Sequence, residues 1–148
     1  MIADPASQTC KLRPMTHPFV TPFDGRRVPI AETLQAELLS HGEGKASMRY
    51  PVLAEYTNPM GQLQGGMYAV MMDSAMAIAC GGLATVSLQC SILRPALAGT
   101  FVLVTGEMVK SGRSIIYAEA EVRDEAGNLL ARGSQSGVPR PKTSPSAE

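Results

Sequence analysis

Between Glu55 and Arg94 the chain carries one charged side chain, Asp73, and it stands in the middle of the run GMYAVMMDSAMAIAC from Gly66 to Cys80. That run has no proline and no succession of β-branched residues, is rich in Ala and Met, and stops at Gly81-Gly82. This is the composition and ending of a helix. At 3.6 residues per turn it makes about four turns. A helix apolar on every side must be buried on every side, so the rest of the chain has to wrap it.

The flanking sequence supplies strands for the wrapping. Lys45 to Val52 reads as a strand with Ala46, Met48 and Tyr50 on one face. After the helix, Ala84 to Leu93 and Thr100 to Lys110 are rich in β formers. Ile116, Ala118, Ala120 and Val122 then alternate with Tyr117, Glu119, Glu121 and Arg123, and a last strand runs from Leu129 to about Gly137. Turns are expected at Ser111-Gly112-Arg113 and Glu125-Ala126-Gly127-Asn128, and an irregular loop at Glu55 to Gly61, where Asn58-Pro59 and Gly61 fall. Leu34, Leu38 and Leu39 have helical spacing and predict a short helix over Ala31 to Leu39, closed by Ser40, His41 and Gly42. Prolines 5, 14, 18, 22 and 29 favour an extended arm over residues 1–30, and PRPKTSPSAE favours a loose tail over 139–148. Residues 31–138 form the folded domain. The predicted class is α+β, an antiparallel sheet curled round one central helix.

Composition narrows the function. A chain of 148 residues can bury one core. Thirteen Lys and Arg balance thirteen Asp and Glu, which leaves no field to hold a nucleic acid or an acidic membrane. The apolar tract Gly65 to Ala84 is interrupted by Asp73 and reads as core, not as a membrane span. Cys10, Cys80 and Cys90 form no CxxC pair and have no His at ligand spacing, arguing against a disulfide framework and against a structural metal. With no apolar run of signal-peptide length at the start, a cytoplasmic location is expected.

Asp73 is the first candidate for chemistry. A lone buried carboxylate costs several kcal/mol unless it is paired, hydrogen-bonded or open to a wet cleft. It either caps or pairs with a neighbour, or it serves as a reactive group. Gln64-Gly65-Gly66, at the helix start, is the second candidate. Backbone N–H groups of a first helical turn lack partners, and glycine lets a ligand oxygen come close to them, so an oxyanion site or simply close backbone packing is expected. Gly65 and Asp73 are eight positions apart, about 12 Å along the helix, too far for one carbonyl to touch both. Two copies with antiparallel central helices would place the helix start of one beside the middle of the other. A homodimer is the implied assembly.

The series Asn58-Pro59-Met60-Gly61-Gln62-Leu63-Gln64-Gly65-Gly66, then Asp73, then Thr85 through Leu93-Arg94-Pro95-Ala96, resembles the hotdog-fold acyl-CoA thioesterases of the PaaI and 4-hydroxybenzoyl-CoA thioesterase superfamily. The resemblance spans about Lys45 to Gly137. It implies a hotdog fold, acyl-CoA as substrate, and assembly as a dimer or a dimer of dimers. It also implies residue roles. The Gly65 amide would polarise the thioester carbonyl, Asp73 of the partner chain would act as base on water or as nucleophile, Thr85 would position the water, and Asn58 would line the reacting end. Many relatives have His before the Gly-Gly pair. Gln64 stands there in this chain and can donate a hydrogen bond but cannot titrate near neutrality.

Gly66, Tyr68, Met71, Met72 and Met76 are candidates to shape a pocket for a small aromatic or a short- to medium-chain acyl group. Arg94 and the turn Lys110-Ser111-Gly112-Arg113 either meet the phosphates of coenzyme A or are ordinary solvated basic residues. Thioester cleavage builds charge on the carbonyl oxygen and expels a good leaving group, so one base and one oxyanion donor suffice without metal or organic cofactor. His17 and His41 read as surface residues, and Cys80 and Cys90 as inert thiols. A non-catalytic acyl-CoA or lipid-binding module of the same fold is the alternative.

Overall fold

A computed structural model describes residues 18–141. The expectations for Cys10, His17 and the outer parts of the arm and tail lie outside these residues. Helix α1 (Pro29–Thr33) is followed by strands β1 (Glu37–Gly42) and β2 (Lys45–Pro51) and one 3-10 turn (Ala54–Tyr56). Helix α2 (Gly65–Ala79) then leads into β3 (Leu83–Ile92), β4 (Phe101–Ser111), β5 (Ile116–Asp124) and β6 (Leu129–Pro139). The six strands form one antiparallel sheet in the order β1-β2-β4-β5-β6-β3, curved round α2, which touches all of them.

The region Ala31 to Leu39 differs from its expected helix. Gln35 takes a left-handed φ of 54°, which ends α1 after Thr33 and releases the chain into β1. Pairing with β2 across the Gly42–Lys45 turn then outweighs the helical spacing of the three leucines. The hairpin sign is present in Gly42-Glu43-Gly44, where Glu43 and both glycines have positive φ.

Alternation places Ala46, Met48 and Tyr50 of β2, Val102 and Val104 of β4, Ala118, Ala120 and Val122 of β5, and Ala131 of β6 in the core. Tyr68, Met71, Met72, Ala75 and Met76 meet them from α2, and full burial of each methionine stabilises by roughly 1.5–3 kcal/mol. Gly106 lets the helix come close, since a Cβ there would stand 2.7 Å from the Ala75 carbonyl. The sheet covers only part of the helix surface. Gly66 is exposed, and Ala69, Val70, Asp73, Ser74 and Ala77 are half-exposed, so the all-round burial expected of the helix is not met within one chain.

Candidate active site

Asp73 lies on the uncovered side of α2, half-buried. Strand β3 passes beside it. A register shift between Thr85 and Ser87 bulges β3, and Gly137 on β6 admits the close approach, because a Cβ there would stand 2.7 Å from the Ala84 carbonyl oxygen. Bulges of this kind re-aim a side chain. The Thr85 hydroxyl accordingly donates to Asp73 Oδ1 at 2.9 Å. Both residues line a crevice of about 370 Å³ whose far wall is the segment from Phe19 to Ile30, with Ile78, Leu83 and Arg140 completing it. That segment turns back on itself through the Val20–Arg27 bridge, buries Phe19 and sets Phe23 against Gly82. The wall it builds beside Asp73 does not follow from its prolines, which indicate extension but not the surface the segment meets.

Four other candidates, Asn58, Gly65, Tyr68 and Arg94, line a second crevice of about 310 Å³ together with Gln62 and Ile92 among others. Asn58 organises the loop: its Oδ1 accepts from the Met60 and Gln62 amides at 2.9 and 3.2 Å. Gln64 precedes the helix with an exposed side chain that makes no capping bond. The Gly65 and Gly66 N–H groups have no backbone acceptor among the described residues. A Cβ on Gly65 would stand 3.1 Å from Ile92 Cδ1, whereas one on Gly66 would meet open space.

Tyr68 is tied into the floor of this crevice. Its hydroxyl accepts from the Ala96 amide at 2.9 Å and donates to the Arg94 carbonyl at 3.2 Å. Met72 and Met76 are fully buried against the sheet and line neither crevice. Arg94 follows the Ile92 end of β3, which pairs with Ala131, whereas Lys110, Gly112 and Arg113 sit at the opposite end of the sheet, where Ser111 pairs with Ile116 and Ile116 with Gly137. One chain therefore does not bring its two basic groups together. Burial pushes the Cys80 thiol up to about 11 and raises Cys90, which leaves both poorly suited as nucleophiles. Among the described residues no group of three His, Cys, Asp or Glu side chains is placed to hold a metal. None of their helices is long and apolar enough to cross a membrane.

The thioesterase superfamily model matches residues 60–131, the stretch holding both the glycine amides and Asp73. Acyl-coenzyme A thioesterase 13 of Homo sapiens is 32% identical over 103 residues, covering 65% of this chain and 74% of that protein. The chain belongs to the thioesterase superfamily. Within it the relatives are of the PaaI kind: acyl-coenzyme A thioesterase PaaI of Escherichia coli (strain K12) is 30% identical over 105 residues, covering 68% of this chain and 75% of its own. The structure of a phenylacetic acid degradation protein PaaI variant from Thermus thermophilus superposes with a TM-score of 0.72 at 27% identity, covering 76% of this chain and all of that one. The fold is thus the hotdog of the thioesterases, and the protein is a thioester hydrolase of the acyl-CoA thioesterase family.

Proposed function

We propose that two copies of the chain share each active site, in which Asp73 of one copy is the general base for water and the Gly65 amide of the other holds the oxyanion formed from an acyl-CoA thioester. The observation that carries this reading is the separation of two half-sites on one chain. A carboxylate held by Thr85 lines one crevice, and Gly65, whose amide has no backbone acceptor among the described residues, lines another about 12 Å along the same helix. A two-fold pairing supplies what each lacks. The open edge of the sheet favours a second copy: among the described residues β3 pairs with β6 alone and exposes Val86, Leu88 and Ile92 along its length. Two such dimers joining is the further assembly this reading allows.

Water loses its proton to Asp73 as its oxygen attacks the carbonyl, the negative charge on the carbonyl oxygen meets the Gly65 N–H, and collapse expels the thiolate of coenzyme A. Asn58 shapes the loop that leads into Gly65, and Gln64 can offer a neutral donor but no proton shuttle. The acyl group, aromatic or a short to medium chain, fits the crevice between Phe19, Phe23 and Ile30 on one side and Asp73 and Thr85 on the other. Arg94 of one copy and the Lys110–Arg113 turn of the other would flank the nucleotide end. Free thiols at Cys80 and Cys90 agree with a reducing compartment such as the cytoplasm.

The test is hydrolysis of a panel of acyl-CoAs by the wild-type protein and by Asp73→Asn. Loss of at least about a hundredfold in kcat supports the reading. Undiminished turnover by Asp73→Asn, or binding without turnover by the wild type, contradicts it.

A further inference from the structure

Gln135, on β6, is a buried polar side chain with 1% of its surface exposed, on the helix-facing side of the sheet between Gly133 and Gly137. An amide in such a place is costly unless it is hydrogen-bonded. As placed, its Oε1 lies 3.3 Å from Thr85 Oγ1, and its Nε2 has no partner among the described residues. The Thr85 hydroxyl has one proton and two acceptors in reach, Asp73 Oδ1 at 2.9 Å and Gln135 Oε1 at 3.3 Å. A carboxylate is the stronger acceptor and here the nearer one, so it takes the proton. Gln135 Oε1 is then left facing the lone pairs of the Thr85 oxygen, acceptor against acceptor, with the amide's donors stranded.

Half a turn of the amide exchanges its nitrogen and oxygen in place and removes the conflict, since the two atoms are distinguished only by their hydrogen bonds. Nε2 then donates to Thr85 Oγ1, which donates to Asp73 Oδ1. The group left with fewer partners becomes a carbonyl oxygen, which is tolerated more often in proteins than an unpaired N–H. We infer that Gln135 is a positioning residue of the active site, which turns the Thr85 hydroxyl toward Asp73 by donating to it from behind. The inference rests on the reading of Asp73 as the base. A hydroxyl with no donor behind it can rotate among three staggered directions, whereas one that already accepts from Gln135 keeps its proton on the carboxylate. Asp73 Oδ1 is thereby engaged, and Oδ2 is left to receive the proton of water.

The experiment is a double-mutant cycle on the purified full-length protein. Gln135→Met keeps the length of the side chain and removes its hydrogen bonds. It is expected to lower kcat about tenfold, with KM changed less than about twofold. In a Thr85→Val background the same substitution is expected to cause no further loss, because its effect passes through the hydroxyl. Wild-type kcat in Gln135→Met, or an equal loss in both backgrounds, overturns the inference and leaves Gln135 a packing residue. Should Gln135→Met fail to fold, neutron diffraction from deuterated crystals of the wild type reads the amide directly. Deuterium on the atom facing Thr85 supports the assignment, and a bare oxygen there overturns it. Inactive Asp73→Asn beside undiminished Gln135→Met refutes the role of Gln135 alone, whereas active Asp73→Asn refutes the base on which it rests.

Discussion

Thr85 Oγ1 stands 2.9 Å from Asp73 Oδ1, joining the bulged edge strand to the middle of the central helix. A carboxylate halfway along an apolar helix is thus held by a neutral donor and has one oxygen to spare. Thr85→Val keeps the branched shape that suits a strand and deletes the donor. We expect kcat for acyl-CoA hydrolysis to fall about tenfold, KM to change little and Thr85→Ser to restore most of the rate. Steady-state kinetics of the three proteins checks this, and an undiminished kcat in Thr85→Val contradicts it.

Gly65 occupies the first helical position, where proline is well accommodated, and Gln64 before it has φ −59° and ψ 135°, a conformation that a following proline favours. Gly65→Pro therefore removes the proposed oxyanion donor with little cost to the backbone, although Ile92 must yield a few tenths of an ångström. A loss of about 10²–10³ in kcat is expected, with circular dichroism and melting temperature close to wild type. Near-wild-type turnover would remove the Gly65 amide from the mechanism.

Gly106 lies where the helix backbone comes close to the sheet: a Cβ there would fall 2.7 Å from Ala75 carbonyl atoms and 2.8 Å from the Met76 nitrogen. Neither neighbour is the end of a flexible side chain, so the helix itself must shift. Gly106→Ala should cost about 1–3 kcal/mol in urea unfolding. Gly66→Ala, which meets open space in the single chain, should leave the stability of the folded subunit nearly unchanged.

Such contacts also show what the sequence could and could not reveal. Helix α2 and strands β2 to β6 were legible because periodicity and turn residues act locally: the alternation Ile116 to Arg123 needs no partner to be recognised as a strand. Strand β1 was not, because Leu34, Leu38 and Leu39 fit a helix as well, and only pairing with β2 settles the matter. The two candidate half-sites could be located from a solitary acid and a glycine pair. The burial of Gln135 is masked in the sequence because an amide between two serines looks solvated, although its alternation phase, shared with Ala131 and Gly133, is the available sign. The wall formed by Phe19 to Ile30 depends wholly on tertiary contacts.

Alkaline pH provides an independent test of the core around α2. Burial carries the Cys80 thiol from its ordinary 9.0 to about 11. Between those values the folded chain holds a proton that the unfolded chain has released, so stability is full below pH 9 and declines as pH rises toward 11. Cys90 and Tyr50 are displaced the same way by burial and add to the decline. Urea midpoints measured across this range should fall less steeply in Cys80→Ala than in wild type. Equal slopes would place the thiol in water.

The most direct measurement is subunit complementation. Asp73→Asn and Gly65→Pro each disable both sites of their own homodimer, but a mixed dimer of the two keeps one site with an intact aspartate facing an intact glycine amide. Unfolding and refolding an equal mixture should restore about a quarter of wild-type acyl-CoA hydrolysis, since half the dimers are mixed and each has one working site of two. Activity no greater than that of the separate variants, despite proven exchange of subunits, would contradict a site shared between chains.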